Sequence, residues 1–370
     1  MTPFSSRTLR YARAWIAGPH AFVEEDLSLD RDGVEVPASV VRPRGPAGAY
    51  PAWVVLHGIT RPGRAHEQLV RFTRSVASAG LLAIVPEVPE WRELRLTPHL
   101  AVPTIAAAVR GLRDAGLLRG DGVGVIGFSF GAPHAIASAG HPDLEGSVRG
   151  ACGFGGYGEL GSTFRFMMTG EHGWGDRSWV HRPDPYGRWI VAANYLTAVP
   201  AHADASDVAE ALRKLAAHAG DHRRPSWDPV YDPVIDGLRN TIAEERRPLF
   251  DLFAPRSDRP ADEARGSAVP SRATLAEELA AAARLRDPQL DPAEPLGEVT
   301  RPVSLLHGRA DHLIPFTEAY RLRSALTSTA AAVTVTRLFG HSAQDPFPLS
   351  SAFREVPAFA RALDRLLRLV

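Results

Sequence analysis

Apolar and polar positions alternate with one rhythm over the first part of this chain, lose it, and recover it near the end. Residues 22–29 and 34–41 are β-rich runs separated by Asp30-Arg31-Asp32-Gly33, which predicts a hairpin at a sheet edge. Trp53-Val54-Val55-Leu56 is a continuous apolar run, as expected of a strand buried on both faces, and it leads into His57-Gly58-Ile59-Thr60. Residues 63–80 carry Leu69, Phe72, Val76 and Ala77 at helical spacing and stop at a glycine. A strand at 81–85, a helix at 103–116, a strand at 123–126 and another at 148–154 continue the alternation. That pattern predicts a mostly parallel sheet covered on both faces.

Beyond residue 155 the rhythm is replaced by proline, aromatics and helix-like runs. A helix is predicted over 186–196, and Val208, Leu212, Leu215 and Ala219 give a second its stripe, started by Asp204 with Asp207. Thr274 and Glu277 open a third, with Leu275, Leu279 and Ala282. Residues 256–272 are polar and proline-bearing, and a mobile loop is expected there; neither strand alternation nor a repeat is predicted in this part. The first rhythm returns at Val303-Ser304-Leu305-Leu306-His307-Gly308. A helix at 317–326, a strand at 331–339, a loop at Gly340-His341-Ser342 and a closing helix at 353–369 follow. Residues 1–155 and 300–370 are therefore expected to share one α/β core, interrupted by a mainly helical cap at 156–299.

Composition narrows the function. With 370 residues and 45% apolar positions the chain can bury a sizeable core, and 42 basic against 42 acidic residues give a net charge of zero. No general attraction to nucleic acid or acidic lipid follows, so a small-molecule partner is expected. Cys152 is the only cysteine, which excludes an internal disulfide and any multi-cysteine metal site, and its strand context makes it a small buried hydrophobe. The first twenty residues set Arg7, Arg10 and Arg13 among Leu9, Tyr11, Trp15 and Ile16. They offer no uninterrupted apolar stretch of signal-peptide length, and a helix packed on its own domain is the expectation. No apolar run approaches membrane-span length, so a cytoplasmic enzyme without stable membrane association is expected.

The candidate chemistry centres on Gly127-Phe128-Ser129-Phe130-Gly131, between a predicted strand and a predicted helix. A serine at so sharp a turn is held in front of the sheet, and the flanking glycines avoid backbone collisions; this is a nucleophile elbow. A serine hydroxyl needs an imidazole to take its proton, and the imidazole needs a carboxylate to orient it. Asp311 follows a core strand and His341 follows the last one, in the order Ser, Asp, His. His312 is the main rival base, but it adjoins Asp311 and neighbouring residues point different ways. His57 and His307 belong to His-Gly turns, and His134 lies one helical turn after Ser129. The oxyanion donors are expected to be the backbone N–H groups of Phe130 and Ile59, with Gly58 close behind. Arg61 and Arg64 could meet a substrate carboxylate or simply be solvated. The histidines lack metal-ligand spacing, and the triad needs no cofactor.

These residues resemble the α/β-hydrolase superfamily, nearest its dienelactone-hydrolase and carboxylesterase-like branches, through His57-Gly58, the Ser129 elbow, His307-Gly308-Arg309-Ala310-Asp311 and Gly340-His341. The resemblance covers about residues 20–155 and 300–370. It implies a mostly parallel eight-stranded sheet flanked by helices and a cofactor-free serine hydrolase. Dienelactone hydrolases proper resemble a cysteine enzyme and haloalkane dehalogenases use aspartate, so the serine disfavours both activities. The expectation is a carboxylesterase-type hydrolase acting through an acyl-enzyme. Acyl transfer, lactone or amide hydrolysis with the same triad, and a catalytically silent binding protein are the alternatives. Trp174, Trp179, Tyr186 and Trp189, with Met167, Met168 and Tyr195, cluster just after the sheet exit. They are candidate substrate contacts, or else the cap's own core.

Overall fold

The computed structural model describes residues 4–45, 48–222, 224–258, 270–338 and 349–370. Helix α1 (Ser6–Ala17) opens the chain, N-capped by the Ser5 side chain, which accepts the Thr8 N–H. Strands β1 (Phe22–Arg31) and β2 (Val34–Pro43) form a hairpin. Asp32 (φ 53°) and Gly33 (φ 83°) are both left-handed, the two-residue turn whose twist suits an antiparallel pair. Strand and helix then alternate: β3 (Ala52–Leu56), α2 (Glu67–Ser78), β4 (Leu82–Pro86), α3 (Pro89–Arg92), α4 (Ala101–Asp114), β5 (Val123–Phe128), α5 (Gly131–Ser138) and β6 (Val148–Phe154). A largely helical stretch follows, with α6 (Leu160–Thr169), a hairpin of β7 (Glu171–Trp174) and β8 (Arg177–Val180), and α7 (Pro185–Tyr195). It continues through α8 (Ser206–His222), α9 (Asp232–Asn240), α10 (Arg247–Phe253), α11 (Arg272–Arg286) and α12 (Ala293–Gly297). The chain closes with β9 (Val303–Gly308), α13 (Glu318–Ala325), β10 (Ala331–Thr336) and α14 (Leu349–Leu367).

Eight strands make one sheet in the order β1-β2-β4-β3-β5-β6-β9-β10. The β1/β2 and β2/β4 ladders are antiparallel and the others parallel. The two-residue period of a strand sorts β3 between the two layers. Trp53 and Val55 join Leu69, Phe72 and Val76 of α2 and Leu363 and Leu366 of α14, with Cys152 in the same layer. Val54 and Leu56 turn the other way, toward Trp91, Ile105, Val109 and Ile136. Fully burying each such side chain contributes roughly 1.5–3 kcal/mol, which is why both faces are covered. Helix α1 packs Tyr11 against Phe72, and Arg71 lies over Trp15 at 4.9 Å, so its aromatics are used within the fold. Among the described residues no helix is long and apolar enough to cross a membrane.

The stretch between β6 and β9 interrupts two strands that are direct neighbours. Its entry is tied to α13 by Glu318, which is fully buried and accepts the Gly158 and Glu159 N–H groups (3.0 Å each) and the Ser162 hydroxyl (2.7 Å). The sequence predicted no strand pairing here, yet β7 and β8 pair across Gly175 (φ 57°) and Asp176. Gly-Asp is a hairpin signal, but strands of four residues are too short for alternation to register. Helix α11 begins at Arg272 with Ser271 as its cap, accepting the Thr274 N–H at 3.1 Å, rather than at Thr274. The strand predicted to reach residue 339 ends at Thr336, whose hydroxyl donates to Glu355. Most of the predicted 256–272 loop, at 259–269, and the whole of Gly340-His341-Ser342 lie outside the described residues.

Candidate active site

Strand β5 delivers Ser129 to a turn where it takes φ 53°, an unusual conformation for a residue with a side chain and one that costs roughly 1–3 kcal/mol. The turn closes tightly. A Cβ on Gly127 would lie 2.1 Å from the Gly131 carbonyl oxygen, and one on Gly131 would lie 2.6 Å from that of His57. The Ser129 N–H donates to the Phe154 oxygen at 2.8 Å, which ties the elbow to β6. The loop after β3 presses on the nucleophile from the other side, since a Cβ on Gly58 would come 3.0 Å from the Ser129 Cβ and 3.5 Å from its Oγ. Among the described residues neither the Ile59 nor the Phe130 N–H is taken up by an acceptor, and both residues line one cavity with Ser129.

A buried pair that no sequence pattern announces supports that loop. His57 Nδ1 donates to the Gly58 carbonyl at 2.7 Å, while Nε2 lies 3.0 Å from Glu87 Oε1 and 3.1 Å from the Val88 nitrogen. The ring stands edge-on to Trp91, which stands edge-on to Phe130. Burial would raise the Glu87 carboxyl, but the hydrogen bond and charge of His57, the Arg64 N–H and the Arg92 charge outweigh it and hold it below the usual range. Glu87 follows β4 and His57 follows β3, two neighbouring parallel strands, so residues at matched strand ends meet here.

Asp311 follows β9 and is 1% exposed. Its Oδ1 accepts the Leu313 and Ile314 N–H groups at 2.9 and 3.0 Å, and Oδ2 lies 3.5 Å from His307 Nε2. Those bonds shape the loop so that Leu313 and Ile314 reach the Ser129 cavity. The sequence-expected base, His341, lies outside the described residues. Of the other histidines, His307 Nε2 donates to the Ile314 oxygen (2.9 Å). His134 Nε2 donates to the Tyr157 hydroxyl (3.0 Å), which in turn donates to the Leu290 oxygen (2.8 Å). Burial pushes His134 down to about 3, so it stays neutral. His312 donates from Nδ1 to the Arg182 oxygen (2.7 Å) and packs on Trp227. Arg61 pairs with Asp221 at 3.2 Å and Arg64 with Asp26 at 2.7 Å, so both have carboxylate partners within the chain.

The Ser129 cavity encloses about 550 Å³ of empty space, its open mouth included. Two helices roof it by their spacing. Leu160, Thr163, Phe164 and Met167 form one face of α6, and Tyr186, Gly187, Ile190 and Val191 form one face of α7. Among the described residues none in the lining carries a charge, and burial raises the Tyr186 phenol, which stays protonated. Of the four aromatics expected at the substrate, only Tyr186 is here. Trp189 turns to the opposite side of α7, is 1% exposed and donates to the Phe253 oxygen at 2.9 Å. Trp174 and Trp179 lie on β7 and β8 and line a separate surface recess. Position after the sheet exit says that a residue is near, whereas the i, i+1, i+4, i+5 pattern of α7 separates 186, 187, 190 and 191 from 189. That pattern was the available signal.

Strand order, the antiparallel first pair and the strained serine between β5 and α5 define the α/β-hydrolase fold. No family model matches the sequence, and no curated protein matches it. Among solved structures, the acylaminoacyl peptidase of Pyrococcus horikoshii is similar over 95% of this chain and 41% of its own, with 10% identity and a TM-score of 0.49. The chain thus spans about two fifths of that protein's length. Est1E from Butyrivibrio proteoclasticus is similar over 92% and 97% (10% identity, TM-score 0.46). Brefeldin A esterase, a bacterial homologue of human hormone-sensitive lipase, is similar over 94% and 75% (17% identity, TM-score 0.44).

Proposed function

We propose that this protein is a serine hydrolase of uncharged, apolar carboxylic esters. The observation that carries the reading is a strained serine opening onto a cavity that, among the described residues, no charged side chain lines. In this reading the apolar group of the substrate lies between α6 and α7, and Ser129 Oγ attacks the ester carbonyl carbon while His341 takes the hydroxyl proton. Asp311 orients that imidazole and stabilises its charged form. The Ile59 and Phe130 N–H groups receive the oxyanion, and donors already in place contribute most where charge develops. Collapse of the tetrahedral intermediate expels the alcohol, which leaves with the proton from His341. Water, activated by the same histidine, then clears the acyl-enzyme. A charged substrate terminus would find no counter-ion among the described lining residues, and its desolvation would cost roughly several kcal/mol.

The test is hydrolysis of p-nitrophenyl esters from acetate to long acyl chains by wild type and Ser129→Ala, alongside labelling with a fluorophosphonate. Turnover by wild type, lost about a thousandfold or more in the variant, is the expected result. A protein that is labelled at Ser129 but inert on every ester would replace ester hydrolysis with acyl transfer or with a narrow lactone or amide substrate. Absence of both labelling and turnover would leave only a binding role for the fold.

A further inference from the structure

A second recess lies on the far side of the loop that carries Asp311. Leu313 and Ile314 of that loop line the Ser129 cavity, whereas Arg309 and Phe316 line the recess together with Trp174, Arg177, Trp179 and Tyr320. Its walls are aromatic and already arranged. Trp174, 39% exposed, is tilted on Tyr320 at 5.9 Å, and Trp179 stands edge-on to Phe316 at 5.1 Å. The Arg309 guanidinium lies over the Phe316 ring at 5.0 Å, which orders that planar group while its N–H edges stay open to a ligand.

The charge here is not balanced. Neighbouring Arg321 lies 2.9 Å from Glu159 and 3.5 Å from Glu318, but among the described residues neither Arg177 nor Arg309 has a carboxylate within ion-pair distance. Asp176 is the only acidic residue among the described residues of the lining. Behind Trp179, burial and then the charges of His181, Arg321 and His307 push His172 down to about 4. Burial, His312 and Arg309 lower His181 in the same way, so the surrounding field is positive.

We propose that this recess is a binding site for a small aromatic carboxylate, its ring against Trp174 and Trp179 and its carboxylate on Arg309 and Arg177. Two-pronged guanidinium contacts favour a carboxylate over a neutral oxygen, and aromatic walls favour a flat ring over an alkyl chain. The site does not depend on Ser129 being a nucleophile, so it stands or falls separately from the hydrolase reading.

Isothermal titration of the full chain with 2-naphthoate, 2-naphthyl phosphate and 2-naphthylmethanol tests it. Saturable 1:1 binding of the naphthoate is expected, weakened about tenfold by Arg309→Gln, less by Arg309→Lys, and reduced by Trp174→Ala and by added salt. Gly187→Leu, which adds its side chain on the Ser129 side of that loop, should leave it unchanged. Equal binding of the neutral alcohol would overturn the proposal, as would tighter binding of the phosphate, which would make the site a phosphate site. Binding lost in Gly187→Leu but kept in Arg309→Gln would place the ligand at Ser129 and also overturn it.

Discussion

Glu87 touches neither Ser129 nor the expected oxyanion position, yet through His57 it bears on both. The imidazole bridges the Glu87 carboxylate and the Gly58 carbonyl, and the next residue, Ile59, offers one of the two open N–H groups. Exchanging the carboxylate for an amide keeps the shape and an acceptor but removes the charge. Glu87→Gln is therefore expected to lower kcat on a p-nitrophenyl ester about tenfold with little change in KM, because a misplaced donor matters when the oxyanion forms. Fluorophosphonate labelling should slow in parallel. Glu87→Ala goes further: it strips Arg64, Arg92 and His57 of a shared counter-charge in a buried place, and a stability loss of about 3 kcal/mol in urea unfolding is expected. Glu87 is negative from neutral pH down into the acid range, so its contribution fades only as pH falls through its depressed value.

At the scale of elements, α6 and α7 decide what fits over Ser129. Gly187 lies against both α6 and the Asp311 loop: a Cβ there would meet the Met167 Sδ and Cε at 3.0 Å and Leu313 Cδ1 at 3.2 Å. Its backbone is ordinary helix, so a larger residue crowds the cavity without straining the chain. For Gly187→Leu the ratio of kcat/KM for octanoate over acetate should fall about tenfold or more, read from the same ester series. The positions that set this preference show how far the sequence could be read. The turn around Ser129, the strands of the eight-stranded sheet and the place of Asp311 just past β9 were legible because each depends on a few neighbours: apolar runs of strand length, glycines two residues either side of a serine, a carboxylate just past a strand. Trp174, Trp179 and Trp189 were not placed, because nearness to the end of β6 leaves open which face of a helix or hairpin a side chain takes. Glu87 was invisible for another reason. Its meeting with His57 joins the ends of two successive strands separated by α2, and their side-by-side pairing in the sheet brings them together.

For the whole molecule, the buried histidines set the response to acid. His134, ordinarily near 6.5, is pushed to about 3 by burial, and His172 to about 4 by burial and neighbouring cations. As pH falls below 6.5 the unfolded chain takes up these protons and the folded chain does not. Each histidine therefore costs about 1.4 kcal/mol of stability per pH unit until its folded value is reached. Glu318 and Asp184 act in the opposite sense. Their carboxyls are raised by burial, so on acidification the folded state takes their protons first and gains stability just above the ordinary carboxylate range. The net slope mixes the two signs, and a single variant separates them. His134→Gln keeps an N–H for the Tyr157 hydroxyl but cannot titrate, while His172, Glu318 and Asp184 remain in both proteins. Urea unfolding at pH 6.0, 5.25 and 4.5 should show wild type losing about 2 kcal/mol more than the variant across that range. Parallel curves would mean that His134 takes up its proton without unfolding, and that the chain from Tyr157 to the Leu290 carbonyl opens to admit it.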